Sequence, residues 1–259
     1  MSVVGGDWRN GPAYDFVDEI GVEKIAHEFP RRNDRYAADY AMLAMSSGRS
    51  RSLPRWRNGG CDFAADPRVR ADQAITVWLP QVDPRLALLT RLPTTLFAGP
   101  DLEDADPAPI TSAAEGDYFK LLALPPSRDA LLVAGKAEGV VAFVLPFDAS
   151  LGRRIETARR LHRLLLQRRP PPASLTHCRR RRLKLTLRAL DGSLNGADYR
   201  AIAEALFGDR VPKGAEFRDN RLRAQVIRLV RYGTRLMRGG YLDLLRPERR
   251  ARRSTLPRG

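Results

Sequence analysis

Two amphipathic segments in the second half of the chain constrain its fold more than any other feature. In the first, five residues recur at helical spacing before Gly208: Tyr199, Ile202, Ala203, Leu206 and Phe207. In the second, from about Arg218 to about Met237, five residues share one side: Leu222, Val226, Leu229, Val230 and Gly233. Residues at these intervals lie on one face of a helix. The pattern predicts two helices that bury their apolar faces, the first of them capped by Asn195.

The opposite face of the second segment carries no carboxylate. Its residues are Arg218, Arg221, Gln225, Arg228, Arg231 and Arg235. A solvated helix face usually mixes charges, because opposite charges four residues apart stabilise a helix and like charges destabilise it. Arginine and glutamine also match the major-groove edges of guanine and adenine. The face therefore favours a DNA-reading helix, with a structural basic helix as the alternative.

Charge is distributed unevenly along the chain. The formal net charge is +15 over 259 residues. Residues 150–259 contain 29 Lys and Arg against 9 Asp and Glu, a net charge of +20, whereas the rest has a net charge of −5. A strongly basic half indicates a polyanionic partner, nucleic acid first and a membrane surface second.

The sequence offers no pattern typical of membrane spans, secretion or metal binding. Apolar runs such as "GVVAFVLPF" at 139–147 are too short to cross a bilayer, and the start lacks the regions of a signal peptide. The two cysteines, Cys61 and Cys178, have no metal-binding spacing. We expect a cytoplasmic, nucleoid-associated protein with no metal, cofactor or membrane partner.

The chain is expected to be mostly α with a small antiparallel β-meander, an α+β fold. Turn residues and apolar periodicity predict four parts: a helical domain with one short strand at 1–97, an acidic proline-containing linker at 98–117, a meander plus helix-turn-helix at 118–246 and a basic tail at 247–259. The predicted meander comprises "YFKLLALP", "DALLVAGK" and "GVVAFVLPF". A helix that runs from Thr176 is expected to end at Gly192.

Long phrases of the sequence also carry a resemblance. They are "DWRNGPAYDFVDEI" and "AHEFPRRNDRYAADY" near the start, "FAADPRVRADQAITVWLP" after them, and "RRLKLTLRALDG", "YRAIAEALFG" and "RAQVIRLVRYGTRLMRGGYLDLL" in the second half. In this order they resemble a transcriptional activator family carried on bacterial integrative and conjugative elements, to which the frameshifted excision activator belongs. The resemblance spans a small N-terminal domain, the segment after it and a C-terminal domain.

This resemblance implies an extended-turn helix-turn-helix at the C-terminus, with one positive side on DNA and the other packed on the N-terminal domain. Carried over by position, it makes "DNRLRAQVIRLVRYG" the recognition helix and places Arg221, Gln225 and Arg228 at bases or phosphates. Together with the basic face described above, the residues assigned to DNA on this helix are Arg218, Arg221, Arg223, Gln225, Arg228, Arg231 and Arg235. The implied function is activation of excision or conjugative transfer genes. The implied partners are promoter DNA, RNA polymerase and an acidic antiactivator homologous to the C-terminal domain.

Two further sets of residues are assigned on weaker grounds. Charge alone assigns one set to the DNA backbone: Arg179, Arg180, Arg181, Arg182, Lys184 and Lys213. A second set of aromatic residues is assigned to interdomain or partner contacts: Trp8, Tyr14, Phe29, Tyr36, Tyr40 and Trp78. Tryptophans, Trp56 included, are interpreted as core or interdomain anchors rather than base-stacking platforms, because an acidic front half is a poor surface for nucleic acid.

An enzyme is not expected. The three histidines form no nucleophilic pair, the phosphate-loop motif is absent, and His162 and Tyr241 do not have the spacing of a tyrosine recombinase. Two non-enzymatic alternatives stay open. The aromatic, acidic front suits an antiactivator or adaptor that acts through protein contact without DNA, and an excisionase-like protein would bend DNA without activating transcription.

Overall fold

The computed structural model describes residues 6–45, 61–63, 65–74, 76–95, 97, 99, 107–113, 116–121, 128–133, 140–167 and 175–245. Residues 46–60, which include Trp56, and the predicted basic tail lie outside these residues. The described residues form helices and two small sheets, so the predicted α+β class, with helices predominating, is confirmed.

Short helices around an apolar centre form the first part of the chain. They are a 3₁₀ turn at Gly11–Tyr14, α1 at Phe16–Glu19, α2 at Val22–Glu28, a 3₁₀ turn at Pro30–Arg32 and α3 at Asp34–Met45. Pro12 lies in the first of these turns, where its missing N–H costs no hydrogen bond. Val17, Ile25 and Phe29 are fully buried between these helices and the rest of the molecule.

The strands form a two-stranded and a five-stranded sheet. The small sheet pairs β1 (Cys61–Phe63) with β2 (Val77–Trp78), antiparallel. The larger sheet contains β3 (Ala87–Leu92), β4 (Pro107–Ala113), β5 (Gly116–Leu121), β6 (Arg128–Val133) and β7 (Val140–Phe143), in the order β4-β5-β6-β3-β7. Its neighbouring strands are antiparallel except for β3 and β6, which are parallel.

The larger sheet differs from the predicted meander in its members. The consecutive antiparallel strands are β4, β5 and β6, whereas β7 pairs with β3, a strand that the sequence did not indicate. Strand β4 occupies 107–113, inside the segment predicted as a linker. Its prolines are tolerated because β4 is at the edge of the sheet and bulges between Pro109 and Thr111.

Five helical segments complete the fold. They are α4 (Leu151–Gln167), α5 (His177–Leu194), α6 (Tyr199–Phe207), α7 (Arg221–Arg235) and α8 (Leu242–Leu245), with a π turn at Leu236–Gly240 and 3₁₀ turns at Gly208–Arg210 and Gly214–Phe217. Helix α4 covers the sheet, where Leu161 packs with Ala87, Leu89 and Leu121.

Several helix ends differ from those predicted. Gly192 lies inside α5 rather than at its end. Ile202 and Trp8 pack against it, and an added Cβ would be 2.9 Å from Cγ1 of Ile202. Asn195, which was predicted to cap α6, instead follows α5 and donates to its last turn. The residue that caps α6 is Asp198, which accepts from the Ala201 N–H at 2.7 Å. Helix α7 begins at Arg221, after Asn220, whose side chain accepts from the Leu222 N–H at 2.8 Å.

One hydrophobic core joins the N-terminal helices to the C-terminal bundle. It contains Trp8, Val17 and Ile25 from the first part together with Leu187 and Val226 from the second. The five-stranded sheet likewise takes β3 from before the segment 98–117 and its other strands from within or after it. Both halves of the chain therefore contribute to the same packed structure.

Candidate nucleic-acid interface

Helix α7 is fixed along its apolar side by α5 and α6. Val226, Leu229 and Val230 are buried in the core that also contains Leu187 and Ile202 of the other two helices. Gly233 brings α7 against α5: an added Cβ there would be 3.0 Å from the Cβ of Leu190 and 3.3 Å from the backbone oxygen of Thr186. Because one side of α7 is packed so closely, its other side has a defined orientation.

The outer face of α7 is basic and open to solvent. Arg221, Arg228, Arg231 and Arg235 are exposed, and Arg223 and Gln225 are partly exposed. Arg218 is exposed in the turn before the helix. Within the described part of the chain, none of these arginines has a carboxylate at ion-pairing distance. Like charges at helical spacing repel one another, so this face would be stabilised by a bound polyanion.

The connection at 208–220 between α6 and α7 is ordered. Arg200 of α6 donates to the backbone oxygens of Pro212, at 3.2 Å, and of Gly214. The Arg200 guanidinium also lies 4.9 Å from the ring centroid of Phe217, which is buried. Gly214 has φ of 69°, in the left-handed region that favours glycine. Arg200 thereby fixes the long turn to α6 and positions the start of α7.

The basic residues that the sequence assigned to the DNA backbone divide into two groups, and the first faces inward. Arg180 donates to the backbone oxygens of Val17 at 2.6 Å and Ile20 at 2.7 Å. Lys184 Nζ lies 2.6 Å from a carboxylate oxygen of Asp15 and 2.5 Å from one of Asp18. Burial lowers the pKa of Lys184, but the two carboxylates outweigh this effect and raise it. These two cations are therefore bound to the N-terminal helices.

The second group faces outward. Arg181, Arg182 and Lys213 are exposed, and Arg179 is partly exposed. The guanidinium carbon of Arg182 lies 5.0 Å from the ring centroid of Tyr232, on α7, and that of Arg235 lies 5.1 Å from the same centroid. Tyr232 thus connects the basic surface of α5 with that of α7.

A buried ionic network fixes the N-terminal helices to the end of α5. Arg32 donates from Nε to Oδ1 of Asp191 at 2.6 Å, and its Nη1 lies 2.5 Å from Oε2 of Glu28. Arg31 donates to the same Glu28 oxygen at 2.9 Å, and Tyr14 donates to Asp191 at 2.5 Å. Burial raises the pKa of Glu28, but Arg32 and Arg31 outweigh it and lower the pKa to about 2. Burial and the Asp191 carboxylate raise the pKa of Tyr14.

The aromatic residues assigned to interdomain or partner contacts lie mostly inside the molecule. Trp8, Tyr14, Phe29, Tyr36 and Trp78 are buried, and Tyr40 is partly exposed. Trp78 donates from its indole nitrogen to the Glu23 backbone oxygen at 3.1 Å, and its ring lies 5.7 Å from that of Tyr241. The five buried aromatic side chains therefore pack within the chain.

Two regions of the chain match models of known protein families. Residues 7–58 match the proteobacterial transcriptional regulator-like domain. Residues 144–246 match the family described as "T6SS, Transcription factor, DNA binding domain". The two regions are similar to domains of transcription factors. This similarity supports a DNA-binding transcription regulator. No curated protein matched the sequence.

The two matched regions coincide with distinct parts of the fold. The first contains the N-terminal helices, and the second contains α4 to α8, with the basic face of α7. The strands of the two sheets all lie between the two regions. In the described part of the chain, no helix has both the length and the apolar character needed to cross a membrane.

Four residues that hold this arrangement were not indicated by the sequence patterns: Arg32, Asp191, Arg188 and Arg200. Arg188 is buried and donates to the backbone oxygens of Trp8 at 3.1 Å and Ala205 at 2.9 Å. A signal was available for Asp191, which follows Leu187 by four residues and so lies on the inward side of α5, where a carboxylate requires a cation. The partners of Arg200 depend on the path of the turn, which the sequence pattern does not specify.

Proposed function

We propose that the protein is a sequence-specific DNA-binding activator of excision or conjugative transfer genes of a mobile element. The observation that carries the proposal is the exposed row of arginines on α7, which have no carboxylate partner within the described residues. The family matches and the resemblance of long phrases to activators of integrative and conjugative elements support it. The protein would act in the cytoplasm, at the nucleoid, as a DNA-binding protein rather than an enzyme.

In this function α6, the turn at 208–220 and α7 form an extended-turn helix-turn-helix, and α7 lies in the major groove. Contacts to phosphates supply affinity and salt dependence, and contacts to base edges supply specificity. Arg221, Gln225 and Arg228 occupy the first two turns of the exposed face of α7. An arginine can donate two hydrogen bonds to guanine, and a glutamine can donate one to adenine and accept one from it.

The N-terminal helices would receive the regulatory partners, RNA polymerase and an acidic antiactivator that resembles the C-terminal domain. This role is supported by the attachment of the N-terminal helices to the C-terminal bundle through Arg32 and Asp191. A partner bound to the N-terminal helices would therefore affect the bundle. An adaptor that uses exposed aromatic side chains is less well supported, because most of the aromatic side chains of the front half that the structure describes are buried.

A gel-shift experiment on promoter fragments of the element that carries the gene tests the proposal. Arg228→Ala is expected to weaken binding by about 1–3 kcal/mol and to relax the preference at one base position. Arg68→Ala, at an arginine whose side chain is 80% exposed and paired with Asp66, is the charge-matched control. If Arg221→Ala and Arg228→Ala both bind as tightly as the parent, α7 is not the recognition helix.

Two other outcomes would favour the alternatives. A parent protein that does not bind DNA at low salt, but represses a related activator in a promoter reporter, would act as an adaptor. A parent protein that bends the fragment without raising reporter expression would be an architectural protein.

A further inference from the structure

Tyr232 holds two cations that come from different helices. Arg182 extends from α5 and Arg235 from α7, and their guanidinium carbons lie 5.0 Å and 5.1 Å from the centroid of the same ring. Both arginines are exposed, and Tyr232 is partly exposed while packed against the main core. The aromatic ring therefore packs against the core and contacts one guanidinium from each of the two helices.

The two positive charges of this cluster are not balanced by carboxylates of the described residues. Within the described residues, neither Arg182 nor Arg235 has a carboxylate at ion-pairing distance. The neighbouring Lys184, in contrast, is neutralised by Asp15 and Asp18. A contact with the face of an aromatic ring restricts a guanidinium without using its N–H donors, so both arginines keep these donors for a ligand.

We infer that Arg182, Arg235 and Tyr232 form a binding site for phosphate of the DNA backbone at the junction of α5 and α7. Tyr232 is the positioning residue, since it orders both guanidiniums before DNA arrives and so lowers the entropy lost on binding. Guanidinium groups bind phosphate oxygens through paired N–H donors. This inference rests on the proposed DNA-binding function and assigns α5 a direct role in it.

The two sides of α5 have different roles: one binds the N-terminal helices and the other contributes to the phosphate site. Arg180 and Lys184 lie on the side of α5 that faces the N-terminal helices, whereas Arg182 faces α7. Charge alone assigned basic residues on all sides of α5 to the DNA backbone. The site restricts the phosphate contact to the side of α5 that adjoins the basic face of α7.

The test is the salt dependence of binding to a short, fluorescein-labelled duplex of mixed sequence, followed by anisotropy. Each phosphate contact contributes about 0.9 to the slope of log K against log salt, so Arg182→Ala/Arg235→Ala is expected to reduce the slope by about 1–2. Tyr232→Leu is expected to weaken binding about two- to five-fold, and Tyr232→Phe is expected to match the parent because the ring is retained. Circular dichroism of Tyr232→Leu checks that the bundle is intact, and Arg68→Ala controls for the loss of charge.

The outcomes separate this inference from the proposed function. A parent that binds the duplex, with an unchanged slope in the double arginine variant, would refute the phosphate site and leave the α7 proposal standing. Equal affinity of a folded Tyr232→Leu variant and the parent would refute the positioning role. A parent that binds no duplex at low salt would refute both.

Discussion

Arg32 and Asp191, which are 159 residues apart in the chain, are joined by two parallel hydrogen bonds, from Nε to Oδ1 at 2.6 Å and from Nη2 to Oδ2 at 2.8 Å. Both side chains are buried, with relative exposures of 1% and 0%. A bidentate pair removed from water tolerates little displacement of either partner. This pair therefore fixes the position of the N-terminal helices on α5.

Breaking the pair is expected to destabilise the whole protein. Asp191→Asn leaves the Arg32 charge buried without its main partner and replaces one of the two accepting oxygens by an NH2 group, so the free energy of unfolding should fall by about 3–5 kcal/mol in urea titrations. Asp66→Asn, at the exposed pair with Arg68, should change it by about 1 kcal/mol or less. Similar small losses in both variants would show that the buried pair does not hold the two halves together.

Glu28 makes the free energy of unfolding depend on pH. Its pKa in the folded protein is about 2, below its ordinary value of 4.5, because the two arginines outweigh the effect of burial. As pH falls, the unfolded chain binds this proton first, so the stabilisation is complete above about pH 4.5 and is lost toward pH 2. The deficit of Glu28→Gln relative to the parent should be largest at neutral pH and shrink across this window. Urea titrations at a series of pH values measure it, and a deficit that stays constant down to pH 2 would contradict the assignment.

The sequence predicted the features that depend on local spacing. The apolar stripe of α7 and the exposure of Arg221 and Arg228 follow from 3.6-residue periodicity, which a single helix displays completely. Strand β3 was missed because its partners β6 and β7 lie far along the chain, and pairing between distant strands leaves little trace in a short apolar run. The prolines of β4 indicated a linker, because proline is tolerated in a strand only at special positions such as the edge of a sheet. Which strand lies at the edge depends on the strand order, and the sequence does not show that order.

In the candidate interface, too, the contacts between distant segments could not be predicted from local sequence patterns. Charge assigned both Lys184 and Arg182 to DNA, although Lys184 binds Asp15 and Asp18 from the opposite end of the chain. No pattern within α5 distinguishes the two cations, because their difference arises from which neighbour each side of the helix meets. The basic character of the surface could therefore be predicted, but its boundary could not.

Gly233 sets the distance between α5 and α7. A Cβ at this position would be 3.3 Å from the backbone oxygen of Thr186, which cannot move without displacing α5. Gly233→Val is expected to reduce the free energy of unfolding by about 1–3 kcal/mol or more, and to weaken duplex binding because α7 shifts with its arginines. Thermal unfolding and anisotropy measure the two effects.

A matched glycine in α4 provides the control for Gly233. Apart from the neighbouring residues of its own helix, no heavy atom of the described part of the chain lies within 4 Å of a Cβ built on Gly152. Gly152→Ala should therefore be neutral or stabilise the protein by up to about 1 kcal/mol through helix propensity. If Gly233→Val unfolds at the temperature of the parent, the close contact between the two helices is not required.

Lys184 provides a direct test of the boundary between the internal side of α5 and the side proposed to contact DNA. Its ammonium lies between Asp15 and Asp18, so Lys184→Ala should leave the salt slope of duplex binding unchanged and lower the free energy of unfolding by about 1 kcal/mol or less. Arg182→Ala, at the exposed arginine of the same helix that contacts Tyr232, should reduce the slope by about 1.

The double variant Asp15→Asn/Asp18→Asn sharpens this comparison. It releases the Lys184 ammonium and removes two negative charges beside α5, so affinity for the duplex should rise at low salt and the gain should disappear at high salt. In this background, Lys184→Ala should reverse part of the gain. A salt slope that falls by about 1 for Lys184→Ala in the parent would instead mean that DNA phosphate replaces Asp15 and Asp18 as the partner of Lys184.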